Sequence, residues 1–222
     1  MFPSETGKIN YKTNSYDFGD IGFRDIGTQA PFDAVVVGDS FSLCDDVAAE
    51  DCWIKHLDTA TGLSFASLGV NGYSPLAEER VLERYGLRFR PKLVILGIHP
   101  NDFKDNVHFD AWSRSGTDNF WVWLGAERGR SQTSRAIANY SMLYRVFDGY
   151  VRSRGRPVFP YKTDQFDFVF RFDVWWLQAV KDTENHPGFA LMKDSILRMK
   201  RMANDNGAAF AVMLFPTKEQ VY

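Results

Sequence analysis

The chain is poor in the residues that announce most specialised chemistries. Its 222 residues include only two cysteines, Cys44 and Cys52, too few for a disulfide framework or a cysteine-based zinc site. Two small buried or half-buried thiols are the first expectation, with a single local bridge in an oxidising compartment as the alternative. Histidine is scarce too. His56, His99, His108 and His186 are the full set, and no pair has the helical spacing of metal ligands. Neither a metal nor a cofactor is expected.

An excess of charge is also lacking. With 26 basic and 28 acidic side chains the formal net charge is −2, so no global field draws in nucleic acid or an anionic membrane. Nucleic acid is not an expected partner. No run approaches the ~20 apolar residues of a membrane-spanning helix, and Met1 to Tyr16 lacks the apolar centre of a secretory signal. The sequence carries no readable address.

What is present is a globular composition, 45% hydrophobic and 15% aromatic, with 19 Phe and 6 Trp. Large aromatic side chains serve burial first; platforms for a sugar ring are their second use. The length suits one ordinary α/β domain. Residues 1–30, rich in Gly, Asp, Asn and Tyr without a sustained period, read as an irregular arm ahead of a domain spanning 31–222.

Four short apolar runs stop at glycine or proline, as buried parallel strands do. They are Asp33 to Gly38, Ser64 to Gly69, Lys92 to Gly97, and Ala208 to Phe215 before Pro216. Helical patterns fill the gaps. Ser74-Pro75 opens one with an N-cap and a first-turn proline; Met142, Val146 and Tyr150 mark a second; Leu191, Ser195, Met199 and Met202 mark a third that closes at Asn206-Gly207. Strands alternating with helices imply βαβ units and a mostly parallel sheet. Two stretches break the pattern and read as aromatic-rich insertions able to roof a site. About 103–139 is mixed and loop-like, with Trp112, Trp121 and Trp123. About 157–187 alternates Phe166, Phe168, Phe170 and Phe172 with polar neighbours, the mark of a strand or hairpin.

Open parallel sheets bind ligands at the carboxyl ends of their strands. After the first strand comes Gly38-Asp39-Ser40-Phe41, after the second Gly69-Val70-Asn71-Gly72, after the third Gly97-Ile98-His99-Pro100-Asn101-Asp102. A serine hydroxyl attacking an acyl carbon needs a base for its proton and fixed N–H donors for the oxyanion, each worth ~3–4 kcal/mol in the transition state. The N–H of Ser40 at a helix start, the unobstructed N–H of Gly72 and the carboxamide of Asn101 are such donors. Asp39 and Asp102 read chiefly as turn-holding residues bonded to nearby backbone, and with His99 they are candidate substrate contacts. Asp45, Asp46, Glu50 and Asp51 read as a solvated helix edge. His56 reads as a surface or half-buried residue, while His108 and His186 carry no recognisable geometry.

Gly38-Asp39-Ser40-Phe41, Gly72 and Asn101-Asp102 resemble the first three signature blocks of the GDSL/SGNH hydrolases. The resemblance implies a flavodoxin-like three-layer α/β/α fold, Ser40 as nucleophile, and an oxyanion hole of Ser40, Gly72 and Asn101. Thr13-Asn14-Ser15, Gly22-Phe23-Arg24-Asp25 and Pro216-Thr217-Lys218-Glu219 are similar to a bacterial subgroup near the alginate O-acetyltransferase-like proteins, which suggests an extracytoplasmic or membrane-associated setting. That family takes its base from a late Asp-x-x-His block, and the sequence stops at Tyr222 before one. The expectation is a chain lacking its base and nearly inactive alone. The implied activity is ester hydrolysis or O-acyl transfer on a small molecule or glycan. A non-catalytic carbohydrate-binding or assembly module on the same fold is the alternative.

Overall fold

The computed structural model describes residues 13–14, 22–127, 158–162, 167–171 and 182–217. In chain order its elements are β1 (Thr13–Asn14), β2 (Phe23–Arg24), β3 (Ala34–Gly38), α1 (Ser40–Leu43), α2 (Trp53–Thr61), β4 (Phe65–Gly69), α3 (Pro75–Arg84), β5 (Leu93–Ile98), α4 (Asp102–Ser113), α5 (Phe120–Glu127), β6 (Val158–Lys162), β7 (Asp167–Arg171), α6 (Pro187–Asp205) and β8 (Ala209–Leu214).

The four expected strands form one parallel sheet in the order β4-β3-β5-β8. Side chains alternate across a strand, and β3 divides its residues between two cores. Ala34 and Val36 pack with Ile54, Phe65 and Ile95 on one face. Val35 and Val37 join Leu68, Leu82, Leu96 and Met199 on the other. Helix α2 therefore covers one face while α3 and α6 cover the second, which makes the fold a three-layer α/β/α sandwich. Burial of both faces is why β3, β4 and β5 read as unbroken apolar runs, whereas β8 at the sheet edge leaves Val212 and Leu214 exposed.

The arm ahead of the sheet is built into the domain. Thr13 pairs with Arg24 and Asn14 with Phe23, and Phe23 and Ile26 enter opposite cores. The 157–187 stretch contains the antiparallel β6–β7 pair, a hairpin as the alternation suggests. The helix expected around Met142 to Tyr150 lies outside the described residues.

Three expectations are corrected. The stretch after Phe103 is not loop-like, since α4 and α5 occupy much of it. Helix α4 buries Asp102, Phe103, Asn106 and Phe109, and two polar residues on the inward face hide its period. Second, Cys44 and Cys52 are bonded to each other and not free. The chain between α1 and α2 folds back and brings their Cα atoms to 5.5 Å. Third, the acidic residues between those cysteines lie on this turn and not on a helix edge, with Asp46, Glu50 and Asp51 exposed.

Candidate active site

Gly38 and Gly69 are register partners at the ends of β3 and β4, and β5 runs alongside β3. The loops leaving three neighbouring strands thus emerge at one sheet edge. The chain passes from β4 back across β3 to β5, so the topological switch lies between the exits that carry Ser40 and Asn101.

Helix α1, which begins at Ser40, sits directly on the strand ends. A Cβ at Gly38 or Gly97 would overlap the Ser42 hydroxyl, and one at Gly69 would overlap the backbone of Ser42 and Leu43. Asp39 holds the turn by accepting from the Phe41 N–H at 2.9 Å. The opposite end is tied by Arg24, which is 3% exposed and donates to the carbonyls of Leu43, Cys44 and Val47. Those bonds satisfy carbonyls that a helix end leaves unpaired. Arg24 was legible only as part of a flanking motif; its reach to α1 was not.

A cleft of about 430 Å³ opens beside α1, lined by Ser40, Phe41, Cys44, Asp45, Trp53 and Asn71 among others. The Asn71 amide donates to Asp45 across it at 3.0 Å. The Phe41 ring stacks between His99 and Phe215, with centroid distances of 4.4 and 5.3 Å, yet remains 42% exposed. At the β4 exit Gly72 has φ +74°, and a Cβ there would lie 2.6 Å from the indole of Trp121. Trp121, on α5, is 56% exposed beside this glycine.

At the β5 exit, the Asn101 carboxamide donates to Asp105 at 2.9 Å and to Asp39 at 3.4 Å. Its oxygen contacts His99 Nδ1. Both amide hydrogens are thus engaged by carboxylates, and one must be exchanged before Asn101 serves an oxyanion. Asp102 is fully buried and accepts from the His99 N–H at 2.9 Å, which is the turn-holding role its position suggests. Burial pushes the Asp39 carboxyl up, partly offset by the Phe41 N–H and the Asn101 amide. Burial pushes Asp102 well up, and Asp39 adds like-charge repulsion.

The histidines are placed as follows. His56 is exposed on α2. His108 lies 3.8 Å from Asp105 and meets Trp123 edge-on. His186 does have a recognisable geometry, because its Nδ1 accepts from the Gly188 N–H and caps α6. None of the four is hydrogen-bonded to the Ser40 hydroxyl. No group of three or more His, Cys, Asp or Glu suited to a metal ion occurs among the described residues, and no described helix is long and apolar enough to cross a membrane.

No family model matches the chain, and no curated protein matches it. Among solved structures it is similar to a catalytic mutant of Axe2, an acetylxylan esterase from Geobacillus stearothermophilus. The identity is 15%, the match covers 80% of this chain and 74% of that one, and the TM-score is 0.31.

Proposed function

We propose that this chain carries the nucleophile side of a serine-dependent ester hydrolase or O-acyltransferase of the SGNH type. Ser40 attacks the acyl carbon, and the N–H groups of Ser40 and Gly72 with the Asn101 amide receive the oxyanion. The observation that carries this reading is the common edge reached by three adjacent parallel strands, together with the cleft beside Ser40. The largely exposed ring of Trp121 offers flat apolar surface to a sugar ring, which favours an acylated glycan as substrate.

The test is hydrolysis of p-nitrophenyl acetate by the purified protein. Ser40→Ala lowers kcat by about a thousandfold or more; unchanged turnover in that variant would remove Ser40 as nucleophile. A glycan-binding module without catalysis on the same fold would instead show glycan binding without turnover.

A further inference from the structure

Behind the rim lies a polar cluster that the proposed chemistry does not use. Ser74 and Glu78 are one helical turn apart on α3, and Asp102 and Asn106 are one turn apart on α4. All four are 1% exposed or less. The two helices pack together, and Asn106 Oδ1 accepts from the Leu76 N–H at 3.0 Å. The Ser74 hydroxyl, both Glu78 carboxyl oxygens, Asp102 Oδ1 and Asn106 Nδ2 are buried without a protein hydrogen-bond partner. A buried polar atom left this way is costly, and five of them around two facing turns form a designed feature or a defect. The second oxygen of Asp102 holds the His99 N–H, so the cluster reaches the turn that carries Asn101.

We propose that Glu78 and Asp102 share a single proton between α3 and α4, and that this carboxyl pair positions the His99–Asn101 turn. Two neighbouring buried carboxylates do not both ionise. A proton on the pair supplies an O–H donor between the two carboxyls, in a cluster that also holds the Ser74 hydroxyl and the Asn106 amide, and leaves one carboxylate oxygen for the His99 N–H. The charged groups acting on Glu78 are Asp102 from α4 and Asp39 from the β3 exit, both acidic. On α6 the nearby cation, Arg198, is committed to Glu79 at 2.6 and 2.7 Å. Burial first, then these two carboxylates, hold Glu78 well above the usual carboxylate range. Glu78 is thus a positioning residue, acting through Asp102. The pairing is argued from the buried, unpartnered oxygens that two packed helices bring into one cluster, and only its catalytic consequence rests on the function proposed above.

The experiment has two arms. Infrared difference spectra of the 222-residue chain, wild type against Glu78→Gln, read the carbonyl stretch of a protonated carboxylic acid at neutral pH. The band is expected in wild type and absent from Glu78→Gln. Its absence from wild type overturns the proposal. In turnover assays, Glu78→Gln keeps kcat within about twofold because an amide also donates, whereas Glu78→Ala lowers kcat about a hundredfold with little change in KM. Equal losses in the two variants overturn the positioning role. A wild type without turnover defeats the esterase reading instead, and the infrared arm still decides the shared proton. If Glu78→Ala does not fold, Glu78→Gln carries both arms.

Discussion

Phe41, the residue after Ser40, lies flat against the imidazole of His99, with rings 19° from parallel and centroids 4.4 Å apart. This stack joins the β3 exit to the β5 exit, the two loops flanking the topological switch. Phe215, at the β8 exit, closes the other side of the Phe41 ring. The relative position of Ser40 and Asn101 is therefore set by side-chain packing as well as by the sheet.

Replacing Phe41 with Ala removes both stacks. Each aromatic pair contributes about 0.5–1.5 kcal/mol, so the variant loses about 1–3 kcal/mol. At this size that lowers Tm by about 2–10 °C. Phe41→Tyr keeps the ring and leaves Tm near the wild-type value. Thermal unfolding of the three proteins checks this, and equal Tm values would show that the stack does not hold the loops together.

The disulfide gives a second stability prediction. Cys44–Cys52 closes a short loop, and chain entropy assigns such a closure about 2.5 kcal/mol. Reduction, or the double change Cys44→Ser with Cys52→Ser, should lower Tm by about 5–10 °C. The same turn lines the cleft beside Ser40 and is held by Arg24, so protection of its amides from hydrogen exchange falls as well. A reductant-insensitive Tm would count against the bridge.

The sheet was legible because β3, β4 and β5 are apolar runs bounded by glycine. The reason for those glycines was not, since Gly38, Gly69 and Gly97 are spared side chains by a helix that sits on all three. Helix α4 escaped notice because Asp102 and Asn106 take inward positions that a hydrophobic pattern reserves for Leu or Val. The bridge could not be deduced because a separation of eight residues does not fix a Cα distance. At the site, the signature blocks named Ser40, Gly72 and Asn101, and the turn-holding roles of Asp39 and Asp102 followed from their places beside strand ends. The contacts of Arg24, Glu78 and Trp121 were not legible because they are made by tertiary packing between distant segments.

Trp121 supplies a prediction about substrate choice. Its indole lies against Gly72 and stays largely exposed, as a surface for stacking a ring does. Trp121→Ala should raise KM for an acetylated oligosaccharide about tenfold, the worth of a ring contact of ~1 kcal/mol or slightly more. Turnover of p-nitrophenyl acetate, which lacks the sugar, changes by less than about threefold in the same comparison. A parallel loss on both substrates would assign Trp121 to holding the Gly72 loop and not to glycan recognition.

His186 makes the stability of α6 depend on pH. Its Nδ1 accepts from the Gly188 N–H, which only the neutral ring can do, and burial holds the imidazole below its ordinary value. The folded state therefore binds a proton less readily than the unfolded state. Its contribution is present above the unfolded pKa of about 6.5 and is lost as pH falls through the lower folded pKa. A cap of this kind stabilises by about 1 kcal/mol. His186→Ala should lose that amount at pH 8 and nothing further on acidification through this group. His186→Asn, a cap that does not titrate, should match wild type at pH 8 and exceed it at pH 5. Urea unfolding at both pH values measures the difference. Identical pH slopes for wild type and His186→Asn would mean that the imidazole does not cap the helix in solution.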